Sequence, residues 1–94
     1  MAWKTERSYA GKSPSEIYQA TKKVIDNLSG KYGLKHQGNE AALGGTVSGK
    51  GVDGTYQATG EKMVIELSYA FFFVGALREK VQAEVTRQLD RLFA

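Results

Sequence analysis

Six residues of the chain match the spacing of a dinucleotide-binding glycine motif. Residues 49–54 read Gly-Lys-Gly-Val-Asp-Gly, which is G-x-G-x-x-G. That chemistry needs the glycines to lead from a strand into a helix, whose N-terminus receives the pyrophosphate. Here the motif is followed by Tyr56-Gln57-Ala58-Thr59, which has the composition of a strand. We therefore interpret the motif as a glycine-rich hairpin and predict no dinucleotide or other cofactor.

The ionisable residues do not form a recognisable catalytic or metal-binding pattern. His36 is the only histidine and there is no cysteine, so a zinc site of ordinary spacing cannot be built. The nearest acidic residue in sequence to His36 is Glu40, across a proposed turn. His36 is therefore either structural, solvent-facing or a general base, and the sequence leaves these roles open. Asp53, Glu61 and Glu66 show no pairing typical of acid–base catalysis. We predict that the protein is not an enzyme and has no metal site.

An aromatic run, Phe71-Phe72-Phe73-Val74, is the feature that an ordinary domain explains least well. It follows a predicted strand, and consecutive residues of a strand cannot all face the core. If the alternation of the strand continues, Phe71 and Phe73 face inward and Phe72 and Val74 face outward. We predict an interaction patch made of these four residues, and core packing at a corner remains the alternative. The patch could meet a second copy, an apolar ligand or a lipid-like surface.

Two amphipathic helices are predicted. The first begins at Ser13-Pro14-Ser15-Glu16, which combines a capping box with a proline at the first helical position, and it ends at Gly30 or Gly33. The second runs from about Gly75 to Phe93. Apolar residues recur every three or four positions along both helices, which gives each one apolar face.

Between the helices the sequence has the alternation and glycine turns of strands. Gly38-Asn39, residues 49–51 and Gly60-Glu61 separate short segments, as hairpin loops do. In the last segment Met63, Ile65, Leu67 and Tyr69 point one way, and Val64, Glu66 and Ser68 point the other. Trp3 to Tyr9 is predicted as a further strand. The expected fold is a two-layer α+β domain, in the order β-α-β-β-β-β-α, with an antiparallel sheet of four to five strands and both helices on one face.

Composition and charge restrict the class of protein. The 94 residues are 41% hydrophobic and 24% charged, which is typical of one globular domain spanning residues 1–94. The longest apolar stretch is too short to span a membrane, and the first residues are charged, so we expect a cytoplasmic protein without a membrane span. The net charge of +3 comes from the first 50 residues. Such a weak bias is more typical of a solvated lysine-rich face than of a nucleic-acid binder.

The turn Gly51-Val52-Asp53-Gly54, the aromatic corner and the second helix together resemble the bacterial polyhydroxyalkanoic acid system family. That family has a Ser-Gly-Val-Asp-Gly-like turn, a Gly-Phe-Leu-Leu-like corner and a terminal helix with a late Leu-Asp, here Leu89-Asp90. The resemblance covers essentially the whole chain. This chain departs from the family at Tyr9, where a histidine is frequent, and at Phe71, which replaces the corner glycine. The resemblance implies association with polyester storage granules or their regulation, and it implies no catalytic residues.

Three functions remain as hypotheses at this point. The leading one is a non-enzymatic interaction protein that contacts a granule surface or a second copy through the aromatic patch. The second is a module that holds a small apolar ligand between helices and sheet, in a cavity of about 300 Å³ or more. The third is a nucleic-acid binder, which we do not expect and which requires one basic stripe formed by Lys22, Lys23, Lys31, Lys35 and Lys50.

Overall fold

The described chain forms two helices and five strands. A computed structural model describes residues 2–49, 51–69 and 75–93. The elements are β1 (Ala2–Ser8), α1 (Pro14–Tyr32), β2 (Lys35–Asn39), β3 (Gly44–Gly49), β4 (Val52–Thr59), β5 (Lys62–Tyr69) and α2 (Gly75–Asp90). The predicted α+β class and element order are confirmed.

The five strands form one antiparallel sheet in the order β1-β5-β4-β3-β2. Strands β2 to β5 follow one another through tight connections, whereas α1 separates β1 from the rest. β1 pairs with β5, with Thr5 opposite Ile65, and Ile65 lies opposite Tyr56 of β4. β1 and β2 are therefore the two edges of the sheet.

One face of the sheet is buried under both helices, as predicted. Alternate residues of β4 and β5 are buried, and the intervening ones are exposed or only partly buried. Ile25 of α1 and Val81 and Val85 of α2 line the same small interior space as Ile65. Both helices consequently pack on one side, and the opposite face carries mainly polar side chains. The buried apolar positions of the two strands are Val52, Tyr56, Ala58, Met63, Ile65, Leu67 and Tyr69.

The predicted capping of α1 is confirmed in detail. The Glu16 backbone N–H donates to Ser13 Oγ at 3.2 Å, and the Ser13 N–H donates to Glu16 Oε1 at 3.3 Å. These bonds satisfy two of the amides that a helix leaves unpaired at its N-terminus. The helix ends at Gly33, whose φ of 69° is a left-handed conformation that glycine adopts without strain.

Two predicted boundaries were wrong. Gly38 and Asn39 belong to β2 rather than to a hairpin loop, and the turn covers residues 40–43. Asn39 Oδ1 accepts a hydrogen bond from the Ala42 N–H at 3.1 Å, so its side chain starts the turn from the strand end. α2 ends at Asp90 and not at Phe93, because the next backbone bonds join residues three apart and tighten the chain into a turn. The aromatic patch Phe71, Phe72, Phe73 and Val74 lies outside the described residues.

The glycine motif is part of this packing. Gly54 faces the core, and a Cβ built on it would lie 2.6 Å from Leu67 Cδ2 and 2.8 Å from Val47 Cγ2. These distances are shorter than real contacts, so only glycine fits between the two neighbouring strands.

We predict that Gly54→Ala lowers the free energy of unfolding by about 1–3 kcal/mol, because the added methyl group overpacks the core. The matched control is Gly30→Ala, since a Cβ on Gly30 of α1 meets nothing within 4 Å. That variant should be up to about 1 kcal/mol more stable than the parent. Urea unfolding of the three proteins measures both effects. Equal stability of parent and Gly54→Ala would contradict the packing assignment.

Candidate functional site

Three ionisable side chains are hydrogen-bonded in series where α1, β2 and β4 meet. Asp26 Oδ1 is 2.5 Å from His36 Nδ1, and the Tyr56 hydroxyl is 2.5 Å from His36 Nε2. The His36 side chain is 5% exposed, whereas that of Asp26 is 60% exposed. A buried imidazole thus links a surface carboxylate to a buried phenol. We call these three residues the polar chain.

Two glycines make room for the polar chain. Tyr56 projects from β4 across β3, and a Cβ on Gly45 would lie 2.6 Å from the Tyr56 hydroxyl. On β2, a Cβ on Gly38 would lie 2.7 Å from the Tyr18 hydroxyl and 3.5 Å from that of Tyr56. Gly38 and Gly45 lie opposite each other in the sheet. The two tyrosine rings stack with centroids 6.2 Å apart in the space that the glycines leave open.

The electrostatics of the polar chain favour a neutral phenol. Burial raises the pKa of Tyr56 well above its ordinary value, and the neighbouring Tyr18 and Asp26 raise it further. The contacts are satisfied when His36 Nδ1–H donates to Asp26 and Nε2 accepts from the Tyr56 hydroxyl. Such a relay resembles catalytic arrangements in its atoms, but Tyr56 is only 2% exposed. The contacts of the polar chain join α1, β2 and β4.

The interior cavity is small. It has a volume of about 40 Å³ and an almost entirely apolar lining between α1, α2 and the sheet. Ligand sites usually have volumes of about 300–1,000 Å³. The cavity therefore does not meet the size that the apolar-ligand hypothesis requires. Its walls include Ile25, Leu28, Leu34, Val52, Leu67 and Val81.

Of the three acidic residues singled out in the sequence, two lie near each other on the sheet and the third lies elsewhere. Asp53 and Glu66 lie on the open sheet face, at the edge of a shallow depression of about 300 Å³. Glu61 lies in the β4–β5 turn and accepts a hydrogen bond from the Gly11 N–H at 2.6 Å. Within residues 2–49, 51–69 and 75–93, no group of three or more histidine and carboxylate side chains is arranged to hold a metal ion.

The lysines proposed as a basic stripe are divided between different surfaces. Lys22 and Lys31 of α1 form ion pairs with Glu40 and Glu84 at 3.5 and 3.8 Å. Lys35 lies opposite Ser48 on the far face of the sheet from the helices. Lys50 lies outside the described residues. The described lysines thus do not form one stripe that could follow a phosphate backbone.

The position of the aromatic patch along the chain is defined by its neighbours. β5 ends at Tyr69, which lies opposite Val52 next to the β3–β4 hairpin, and α2 begins at Gly75. Gly49 and Gly51 of the glycine motif lie where the chain passes from β3 to β4, and their φ values are 136° and 87°. The glycine motif therefore joins two antiparallel strands, as predicted, and does not lead into a helix. Residues 70–74, which follow Tyr69 in the sequence, lie outside the described part of the chain.

Sequence reasoning missed the polar chain. The sequence leaves the role of His36 open and does not connect this residue with Asp26. The missing information is the packing of α1 on β2, which brings together residues ten positions apart. Tyr18 was also missed, although it is completely buried and its hydroxyl has no hydrogen-bond partner within the described part of the chain.

Among the helices that the structure describes, none combines the length and apolar character needed to cross a membrane.

Comparisons with known proteins identify a family and a fold. Residues 9–93 match the model of the family described as "Putative polyhydroxyalkanoic acid system protein". No protein with a curated description matches the sequence. A TBP-like protein from Parabacteroides distasonis is similar in structure, with a TM-score of 0.64 and 10% identity over 95% of this chain and 92% of that one.

Two further solved structures share the fold. A DUF4468 family protein from Bacteroides ovatus has a TM-score of 0.58 and 13% identity over 98% of this chain and 81% of that one. Ara h 8.0201 has a TM-score of 0.51 and 14% identity over 98% and 97% of the two chains. At such low identity these similarities concern the fold alone.

We predict that Tyr56→Phe lowers the free energy of unfolding by about 1–3 kcal/mol, since it leaves the buried His36 Nε2 without its partner. The matched control is Tyr32→Phe, which removes a buried hydroxyl that has no hydrogen-bond partner in the described chain. The control should change stability by no more than about 0.5 kcal/mol. Denaturant melts of both variants decide the matter, and similar losses in the two would show that the polar chain contributes nothing specific.

Proposed function

Because the chain belongs to the polyhydroxyalkanoic acid system family, we propose that it is a non-enzymatic interaction protein that acts at the surface of polyhydroxyalkanoate granules. The family match over residues 9–93 carries the proposal, since it extends from just before α1 to just beyond α2. Attachment to storage granules places the protein in the cytoplasm. Its effect on the granules is exerted by occupying their surface, and regulation follows from which other proteins it excludes or recruits there.

The interior of the domain supports a role at the surface. The small cavity has no space for a polyester segment. Both ring nitrogens of His36, the single histidine of the chain, are hydrogen-bonded, one to Asp26 and the other to Tyr56. Both observations favour contact through the outside of the molecule over chemistry within it.

The aromatic patch is the surface that we assign to the granule. Three phenylalanines and a valine stand in succession in the sequence between Tyr69 and Gly75. An aliphatic polyester offers an apolar surface, and burying one such side chain contributes about 1.5–3 kcal/mol. A micromolar complex needs about 8 kcal/mol net. Phe72 and Val74 alone are therefore too few, and attachment also requires neighbouring surface or several copies on one granule.

We predict that Phe72→Asp keeps the fold and weakens attachment to polyhydroxyalkanoate particles by about tenfold or more. The reason is that a charge replaces a ring that, in the proposed complex, is buried against the polyester. Phe73→Asp should unfold the domain. The matched control is Phe93→Asp, which alters a phenylalanine that is 37% exposed and follows the other end of α2. It should bind particles like the parent protein.

Co-sedimentation with washed particles measures attachment, and thermal melting measures folding. If Phe72→Asp melts as badly as Phe73→Asp, the patch is core and not a contact surface. If Phe72→Asp and Phe93→Asp bind equally well, the patch does not mediate attachment. Failure of the parent protein to bind at all would contradict the proposed function itself.

A further inference from the structure

The outer edge of β1 pairs with no described strand, and one of its backbone groups, the Glu6 carbonyl, accepts a hydrogen bond from Arg7 Nη1 at 2.9 Å. β1 is seven residues long and pairs on one side with β5; it is the last strand at its end of the sheet that the structure describes. An edge strand exposes backbone donors and acceptors that can pair with another strand. Proteins commonly protect such edges with charges. The charges of β1 have an unusual arrangement, because opposite signs flank its centre.

β1 is complementary to itself in antiparallel orientation. When a second copy is aligned so that Thr5 faces Thr5, Lys4 faces Glu6 of the second copy and Glu6 faces Lys4 of the second copy. These side chains lie on the open sheet face, in the same rows as Glu66 and Val64. On the helix side, Trp3 faces Arg7 of the second copy, a pair suited to a cation–π contact.

The alternative registers are unfavourable. Paired residues of antiparallel strands must share a face, so the alignment can shift only in steps of two residues. One step in one direction places Lys4 opposite Lys4 of the second copy. One step in the other places Glu6 opposite Glu6. Like charges directly opposite each other destabilise a strand pair. Of these three registers, the fully overlapped one alone avoids both repulsions.

From this self-complementarity we propose that β1 pairs with β1 of a second copy about a two-fold axis at Thr5. The two five-stranded sheets then form one continuous sheet. The helix layers support the arrangement, because α2 lies beside β1: Arg7 Nε bonds Asp90 Oδ1 at 2.7 Å, and Tyr9 donates to the Leu89 carbonyl at 2.6 Å. The two α2 helices therefore lie on the same side of the shared sheet, flanking the axis.

The dimer is weak and depends on concentration. One strand pair of this length gives a contact about 24 Å long, at the small end of specific interfaces. Weak pairing suits a protein whose local concentration rises when many copies attach to one surface, and there a second contact adds avidity. The dimer does not depend on granule attachment, and each can fail without the other.

A single engineered cysteine tests the axis. The chain has no cysteine, so Thr5→Cys introduces a unique thiol. Residues directly opposite each other on antiparallel strands have Cα atoms about 4.5–5.5 Å apart, which is compatible with a disulfide. Ser8→Cys is the matched control. In the proposed register Ser8 faces Ala2, so two Ser8 positions lie about 20 Å apart and cannot be joined.

Under mild oxidation, Thr5→Cys should give a disulfide-linked dimer and Ser8→Cys should remain monomeric. Equal cross-linking of the two variants would show random collision and overturn the proposed register. No cross-linking of a folded Thr5→Cys variant would overturn the dimer.

Charge reversal provides an independent test that needs no cross-link. Lys4→Glu or Glu6→Lys places like charges opposite each other and should raise the dimer dissociation constant about tenfold at low salt. The double variant Lys4→Glu/Glu6→Lys should restore it to within about threefold of the parent. Lys35→Glu, on the opposite edge strand β2, is the matched control and should have no effect.

Analytical ultracentrifugation measures association. Thermal melting shows whether loss of the ion pair between Glu6 and Lys62 within one chain has changed the stability of the variant. Failure of the double variant to recover association would contradict the pairing of Lys4 with Glu6. Loss of association in Lys35→Glu would place the contact at β2. A monomeric parent at millimolar concentration would overturn the proposal.

Discussion

The alternation of apolar and polar side chains along β4 and β5 is the constraint on which the rest of the structure depends. It makes one face of the sheet apolar, and both helices pack on that face. Helix α1 begins at its capping box and packs on the sheet through its stripe of buried residues. Helix α2 completes the layer through Val81, Val85 and Leu89. The opposite face and the two edge strands remain open.

This division separates the covered side of the sheet from the surfaces on which the proposed function depends. On the covered side, the side chains of the polar chain are part of the packing. Tyr56 extends across Gly45, and the polar chain ties β2 to α1 while its phenol stays buried. The interior cavity of about 40 Å³ is smaller than the usual volume of a ligand site. The surfaces that the described residues offer to other molecules are the polar sheet face and the edge of β1, whereas the aromatic patch stays a proposed contact.

Much of this fold could be predicted from local sequence signals. The start of α1 follows from Ser13 to Glu16, and the hairpin at residues 49–54 follows from its glycines and the strand after them. Features that depend on distant partners could not be predicted. Gly38 lies within a strand, where the hydroxyls of Tyr18 and Tyr56 are too close to leave room for a Cβ. The bond between Asp26 and His36 requires the register of β2 and its packing on α1. Family membership was predicted from short motifs and is confirmed, whereas the aromatic patch stays a prediction.

The central claim is that this domain acts through its surface and not through its interior. Amide hydrogen exchange of the parent protein, with and without polyhydroxyalkanoate particles, tests that claim most directly. Bound particles should slow exchange in residues 70–74 and leave it unchanged in residues that line the interior cavity, such as Ile25 and Val85. Slower exchange confined to the cavity-lining residues would instead show that a polyester segment enters the core, and it would contradict this account.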